Sequence, residues 1–336
     1  MNKWFDAIGN DTDIAISSRI RLARNFSSVP FPNAASQPVA SEVYEKVKEA
    51  LSGEDIGFRR LSEMNEQEKS AMIARHLISP PFSKMTDRGA LGLTSDESLS
   101  IMINEEDHIR IQALSSGNNL LEAYKKASET EEKISAKHPF AFDETLGYLT
   151  ACPTNLGTGL RASVMLHLPA LEENGDIQNL MGMLSKLGLT IRGTFGESTK
   201  SVGSLYQISN QVTLGIDEKN SIGNLSAIVS QIIERERAAR RALYENSLTF
   251  EDCFHRSLAV LSSARLMSGE ELYGHLSVIR TGATLGLISE EKTAVITRLL
   301  FCTSAGEIIM ESGRNLSPAE RDAIRATEVR NSKLFS

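Results

Sequence analysis

The densest chemical stretch of the chain is Cys152-Pro153-Thr154-Asn155-Leu156-Gly157-Thr158-Gly159-Leu160-Arg161-Ala162-Ser163-Val164. A thiol, two flexible glycines, small hydroxyls and an arginine crowd together there, a mixture suited to a polyanion pocket more than to a core strand. Asn104-Glu105-Glu106-Asp107-His108-Ile109-Arg110 lies upstream and Arg192-Gly193-Thr194-Phe195-Gly196-Glu197 downstream. Arginines and carboxylates therefore alternate along three segments, the pattern of a site that moves phosphate onto something cationic. Arg19 and Arg21, two apart, project the same way on an extended chain and would clamp phosphate oxygens. With Arg110, Arg161 and Arg192 they make five arginines expected where loops gather, holding negative charge close while a terminal phosphoryl group is attacked.

Other chemistries are excluded by what the sequence lacks. No G-x-x-x-x-G-K-[ST] occurs, and Gly157-Thr158-Gly159 is too short for a dinucleotide fingerprint, so neither an ordinary P-loop enzyme nor a eukaryotic-type protein kinase is indicated. An acidic run such as Glu105-Glu106-Asp107 is by itself a solvated loop; its place directly after the apolar run at 99–103, at a strand end, gives it functional weight. Cys152, Cys253 and Cys302 are odd in number, far apart and free of C-x-x-C pairing, which suggests reduced thiols with neither a disulfide framework nor a zinc site. Thirty-six basic against 43 acidic residues give a net charge of −7, which argues against direct nucleic-acid binding while leaving room for a local basic pocket. No apolar run approaches about eighteen residues and the N-terminus lacks a signal-peptide layout, so a cytoplasmic protein with no membrane association is expected.

The elements that must position these residues read as two regions. Up to residue 220, strand-like runs at 13–16, 90–93, 99–103, 147–151, 162–168, 189–193, 205–208 and 212–215 alternate with helical patterns. Val39, Val43, Val47 and Leu51 recur every fourth residue, Asn65 is placed to cap a helix carrying Met72, Ile73 and Leu77, and 118–134 reads as a surface helix. Beyond that, helices at 223–246, 249–266, 269–282, 289–303 and 317–329 follow one another, punctuated by Ser, Thr, Asn and Gly. The expected division is 1–220 and 221–336.

Four motifs in order, Ser17-Ser18-Arg19-Ile20-Arg21, Asn104-Glu105-Glu106-Asp107-His108, the run Cys152 to Val164, and Arg192-Gly193-Thr194-x-Gly196-Glu197, resemble the motif set of the phosphagen kinases, the ATP:guanidino phosphotransferases. Within that superfamily the chain is similar to the bacterial protein arginine kinases, the McsB family. Small-substrate members carry a helical domain before Ser-Ser-Arg-x-Arg, whereas sixteen residues precede Ser17 here, so an acceptor site open to arginine on a protein surface is expected. Arg321-Asp322-Ala323-Ile324-Arg325-Ala326 matches the motif by which protein arginine kinases bind phosphoarginine away from the catalytic centre; on a helix, Arg321 and Arg325 share a face beside Asp322.

The resemblance implies an α+β fold: a catalytic domain like those of phosphagen kinases and glutamine synthetase, with an antiparallel sheet flanked by helices, then an all-α C-terminal domain. It makes Glu106 the catalytic base and Glu197 the second carboxylate, since a guanidinium with pKa above about 12 must be oriented and deprotonated. Cys152 matches the superfamily's reactive cysteine, implying electrostatic tuning near the guanidinium. Nucleotide contacts are implied for Ser17, Ser18, Arg19, Ile20, Arg21, His76, Arg110, Arg161, Ala162, Ser163, Val164, Met165, Arg192, Gly193, Thr194, Phe195, Gly196 and Glu197, and phosphoarginine contacts for Arg321, Asp322, Arg325 and Ala326. Phe195 departs from the arginine of small-substrate relatives, which fits a differently shaped acceptor site. ATP and Mg2+ are implied, the metal bridging phosphates without a readable protein ligand set. Further implications are a homodimer, an McsA-type activator, and marking of proteins for a ClpC-type unfoldase and its protease. A free-arginine kinase and a non-catalytic phosphoarginine-binding adaptor remain open alternatives to the protein-directed kinase.

Overall fold

The computed structural model describes residues 2–193 and 201–335. Ten strands are present among them: β1 (Ala15–Arg24), β2 (Ile56–Arg60), β3 (Ala90–Thr94), β4 (Leu99–Ile103), β5 (Ile109–Ser116), β6 (Phe142–Asp143), β7 (Gly147–Tyr148), β8 (Leu160–His167), β9 (Leu189–Gly193) and β10 (Leu205–Asn210). Eight build one antiparallel sheet in the order β2-β3-β4-β5-β1-β8-β10-β9, and β6 pairs with β7 apart from it. The helices are α1 (Gln37–Ala50), α2 (Glu66–Ala74), α3 (Leu120–Ser135), α4 (Pro169–Glu173), α5 (Asp176–Lys186), α6 (Glu218–Tyr244), α7 (Leu248–Ser263), α8 (Gly269–Thr284), α9 (Lys292–Cys302), α10 (Ala305–Ser312) and α11 (Pro318–Arg330).

Successive strand side chains point to opposite faces, so each strand contributes two unlike rows. Ile20 and Leu22 of β1, Ile109 and Ile111 of β5, and Ala162 and Val164 of β8 join one apolar cluster with residues of α1, α3 and α6. The intervening positions, Arg19, Arg21, Arg110, Gln112, Arg161 and Ser163, form the other row, on the side covered by α2 and the C-terminal helices. Hydrophobic burial on the first face holds the sheet together and frees the second for polar work.

Side-chain caps set several helix starts. Asn65 accepts the N–H of Glu68 at 2.8 Å to begin α2, and Ser268, Ser304 and Ser317 likewise cap α8, α10 and α11. Strand readings fared less evenly. Strand β1 begins at Ala15 and runs through the arginine motif instead of stopping before it, so Arg19 and Arg21 sit inside a strand, whereas Arg110 and Arg161 stand second in β5 and β8 and Arg192 last but one in β9, next to the junctions expected for them. Strands β2 and β5 and helix α10 were not anticipated. The expected strand at 212–215 does not form, because Thr158 N–H donates to the Thr213 carbonyl (2.9 Å) and the Thr213 hydroxyl to that of Leu156 (2.7 Å), tying this segment to the glycine loop. Of 147–151, only Gly147 and Tyr148 are in a strand. The expected division at 220/221 falls inside α6, whose Ile222, Leu225 and Val229 pack on the sheet.

A buried ion pair ties α6 to the sheet's far end. Arg240 Nε meets Glu236 at 2.8 Å, while its Nη2 bonds the His167 carbonyl at 2.9 Å and its Nη1 the Thr284 hydroxyl at 2.6 Å. Both side chains are fully buried. Arg240→Met, which strands the Glu236 carboxylate, is expected to cost about 3–5 kcal/mol in urea unfolding, and the double variant Glu236→Gln/Arg240→Met to recover part of that loss.

Candidate active site on the arginine face of the sheet

Register brings the arginines together. Arg21 lies opposite Arg161 across β1 and β8, Arg19 opposite Ser163, and Ala23 opposite Arg110 across β1 and β5. Arg192 of β9 faces Gln207 of β10, which in turn faces Met165 of β8. Neutral acceptors hold some of these groups: Arg19 Nη2 donates to Gln207 Oε1 at 2.9 Å and Arg161 Nη2 to Ser209 Oγ at 3.2 Å. Among the described residues Arg110 is the member paired with acid, reaching Glu105 Oε2 at 2.5 Å and Glu106 Oε2 at 3.2 Å.

The positive charge on this face is held under strain. Burial, then the neighbouring Arg161 and Arg110, push the Arg19 guanidinium down to about 10. Burial followed by repulsion from Arg19, Arg161 and Arg110 lowers Arg21 well below the usual arginine value, and burial with Arg192 and Arg110 lowers Arg161. The Nε atoms of Arg21 and Arg161 are buried without a partner among the described residues. Unsatisfied donors on a cationic face fit an anion with several oxygens, which supplies both acceptors and counter-charge.

A cleft of about 880 Å³ opens over this face. Arg19, Arg21, Met102, Arg110 and Gln112 line its floor; His76, Ser79 and Pro80 after α2 form one wall; Tyr273, Ser304, Gly306, Arg321 and Asp322 from the C-terminal helices form another. Gln112 fixes the first wall by donating to the His76 carbonyl at 2.7 Å and to Ser100 Oγ at 3.1 Å. Ser79 hydrogen-bonds Glu105. Burial and then Arg19 push the His76 imidazole down to about 3, so the ring is neutral where it lines the cleft.

The acidic turn between β4 and β5 assigns its residues different tasks. Asp107 is buried, accepting from Asn25 Nδ2 at 2.7 Å and from the Ala151 N–H at 2.6 Å. His108 is buried too: its N–H donates to Asn25 Oδ1 (2.8 Å), its Nδ1 accepts from the Phe26 N–H (3.1 Å), and its Nε2 lies 2.8 Å from the Pro30 carbonyl. An accepting Nδ1 leaves Nε2 as the protonated nitrogen of a neutral ring, in keeping with the lowering that burial imposes. Glu105 is spent on Arg110 and Ser79. Glu106 alone of the three carboxylates is exposed, with 43% of its side chain accessible.

The same knot places Cys152, since Ala151 is bonded to Asp107; the Cys152 thiol, half-buried, sits 3.0 Å from Thr154 Oγ1. It stands on the docked loop and not in the wall of the cleft. Gly157 shows why this loop needs glycine: φ is +107° and an added Cβ would lie 2.2 Å from the Thr213 carbonyl oxygen.

Strand alternation sorts the remaining expected nucleotide residues. Ser17, Ser163 and Met165 lie on the arginine side, lining a small cavity with Arg19. Ile20, Ala162 and Val164 turn their side chains into the apolar core on the other face. Ser18 is also fully buried, its hydroxyl bridging the Gly117 carbonyl and the Asn119 N–H at 2.9 Å each, a structural role at the start of α3. Gly193 ends β9; Thr194, Phe195, Gly196 and Glu197 lie outside the described residues.

Arg321 and Asp322 face the same cleft as Arg19, Arg21 and Arg110. Arg325 reaches it as well, but its Nε bonds the Thr303 carbonyl (2.9 Å) and its Nη1 the Met267 carbonyl (2.8 Å) and Asp322 (2.6 Å), a positioning role. Ala326 is fully buried. Gln112, Gln207, Ser79 and the Glu105–Arg110 pair were not singled out in the sequence. The first two share the every-second-residue row of the arginines, a signal present in the strand alternation of β5 and β10.

Residues 39–239 match the family model of the ATP:guanido phosphotransferase C-terminal catalytic domain, and residues 247–334 that of the protein-arginine kinase McsB C-terminal domain. The chain is 43% identical to a protein-arginine kinase of Halothermothrix orenii over 97% of its own length and 95% of the relative's. It is 41% identical to that of Bacillus subtilis, over 98% and 93%. Among solved structures it resembles lombricine kinase, with a TM-score of 0.62 and 27% identity over 69% of this chain and 68% of that one.

His76 supplies a test of the site's electrostatics. Its folded value near 3 lies below the unfolded value of about 6.5, so between those limits the unfolded chain binds more protons and stability falls as pH drops. His76→Asn, which suits the left-handed backbone there (φ 61°), is expected to flatten the acid limb of a denaturant-measured stability profile between about pH 6.5 and 3.

Proposed function

Because the chain belongs to the protein-arginine kinases of the ATP:guanido phosphotransferase family, we propose that its sheet face binds the triphosphate of ATP and that Glu106 takes the proton from the target guanidinium. The kinase transfers a phosphoryl group from ATP to arginine in proteins. The observation that carries the assignment of roles is the division of the acidic turn: Glu105 and Asp107 are committed within the protein, while Glu106 is exposed beside Arg110.

In this reading Arg21, Arg110 and Arg161 hold the phosphate oxygens, with Arg19 and Arg192 flanking them. A guanidino nitrogen of the substrate attacks the γ-phosphorus in line, the bond from phosphorus to the ADP oxygen breaks, and the nitrogen's proton passes to Glu106. The arginines offset charge that builds on the transferring group and the departing ADP, and they are held in place before the reaction begins. Glu197 would share in orienting the guanidinium, and Cys152, on the loop docked to Asp107, would tune the field beside it. Mg2+ would accompany the nucleotide, supplying further neutralisation of the phosphates.

The C-terminal wall of the cleft supports a regulatory reading of Arg321 and Asp322 as a phosphoarginine contact pair, with Arg325 fixing Asp322. Dimerisation, an McsA-type activator, a cytoplasmic location and delivery of marked proteins to Clp-type proteolysis are proposed on the strength of the family.

Glu106→Gln keeps the size of the side chain and removes the base. Mass spectrometry under conditions that preserve N–P bonds, on an unfolded arginine-rich protein incubated with Mg-ATP, should show phosphoarginine formed about 10²–10⁴-fold more slowly by this variant. Retention of the wild-type rate would remove Glu106 from the role of base.

A further inference from the structure

Four charged side chains form a continuous series behind the wall of the cleft. Glu97, in the turn between β3 and β4, accepts from Lys3 Nζ and from Arg75 Nη1 on a single oxygen, Oε1, at 2.7 Å each. Arg75, the residue that ends α2, turns its Nε to Glu307 Oε1 of α10 at 2.8 Å. Arg75, Glu97 and Glu307 are all buried. A buried ion pair is weak evidence for stability, since apolar residues of the same volume often serve as well, so a pair placed between two elements calls for another reason.

The pair sits where α10 and α2 approach each other closely. Gly306, one residue before Glu307, lies so near α2 that an added Cβ would meet the Ser70 carbonyl carbon and oxygen at 2.7 Å and Ala71 N at 2.9 Å. Steric contact holds α10 against α2, and the ion pair fastens it at the residue where α2 gives way to the cleft wall. His76, Ile78, Ser79 and Pro80, which follow Arg75, line the cleft, as do Ser304, Ala305 and Gly306 at the head of α10. The Ser79 hydroxyl donates to one oxygen of Glu105, whose other oxygen meets Arg110 at 2.5 Å. Charged and polar contacts therefore lead from Glu307 through Arg75 and the short segment 76–79 to Arg110 on the floor of the cleft.

We propose that Glu307 and Arg75 are positioning residues for phosphoryl transfer: through Arg75, helix α10 sets the segment from His76 to Ser79, and with it the Glu105 carboxylate that orients Arg110. This rests on Arg110 holding phosphate, as given above. The geometry at Arg110 shows what is at stake. Its guanidinium lies between Glu105 at 2.5 Å and Glu106 at 3.2 Å. A Glu105 released from Ser79 gives up part of its hold, and Arg110 is drawn toward Glu106, away from the phosphates and onto the base. The C-terminal helices thus complete the catalytic site from a distance, with no atom of Glu307 in contact with substrate.

Glu307→Gln keeps the shape of the side chain and leaves Arg75 paired with Glu97, so the fold is expected to persist. The full chain is assayed on an unfolded arginine-rich protein with Mg-ATP, at a temperature where urea unfolding shows each variant folded. Glu307→Gln and Ser79→Ala should each lower kcat/KM about ten- to a hundredfold, and the double variant no further than the more impaired single one. Glu307→Gln combined with Ser209→Ala, which alters the Arg161 contact elsewhere on the sheet face, should instead show the product of the two single effects. Should Glu307→Gln fail to fold, Arg75→Lys, which keeps a cation between the two carboxylates and lacks the forked guanidinium, takes its place in the same cycle. An unaltered kcat/KM, losses that multiply with Ser79→Ala, or equal coupling to Ser209 would overturn the positioning role alone. Wild-type turnover by Arg110→Ala would overturn the phosphate placement and this inference with it.

Discussion

Like charges facing one another across β1 and β8 govern this molecule. Arg21 stands directly opposite Arg161, an arrangement that puts side-chain stems roughly 5 Å apart, and like charges so placed destabilise a sheet. Arg19, Arg110 and Arg192 crowd the same face, and the values of Arg19, Arg21 and Arg161 are depressed first by burial and then by the neighbouring arginines. Each such repulsion amounts to roughly 1–4 kcal/mol in partly solvated surroundings. The apolar cluster on the opposite face, with α1, α3 and α6 packed over it, is what allows the sheet to carry the burden. On the proposed placement of the triphosphate, a bound polyphosphate would relieve it, so affinity for substrate and strain in the protein would be two aspects of one arrangement.

Nearby carboxylates offset this charge only in part. Glu105 pairs with Arg110 on the floor of the cleft, and Asp107 is turned away to bond Asn25 and Ala151. The Asn25–Asp107–His108 knot fastens the end of β1, the acidic turn and the start of the glycine loop to one another. Fixing these three connections leaves Glu106 exposed beside Arg110. The C-terminal helices close the cleft from above, so residues as distant in sequence as Arg21 and Arg321 line a single space.

Much of this was legible in the sequence, for reasons particular to each element. The helix starts at Asn65, Ser268 and Ser317 could be read because capping is local chemistry between a side chain and an N–H three residues on. The five arginines could be read as one site because their motifs fall in a familiar order. The strand of Arg192, at 189–193, could be read too, but that of Arg19 and Arg21 could not: they interrupt the apolar pattern of β1 and masked its continuation to Arg24. Strand β5 was hidden in the same way by Arg110 and Gln112, polar residues that belong on a functional face. The 212–215 segment looked like a strand by composition, yet its hydrogen bonds go to the glycine loop, a tertiary choice no local pattern encodes. The roles of Ser18 and Arg325 were likewise invisible, since both depend on backbone groups brought near by folding.

The most direct test is thermal unfolding of the wild type and Arg21→Met, each with and without inorganic tripolyphosphate. If unrelieved repulsion on the sheet face is the governing constraint, Arg21→Met melts higher than the wild type without anion and gains less when tripolyphosphate is added. A variant that melts lower and gains as much as the wild type would contradict the account.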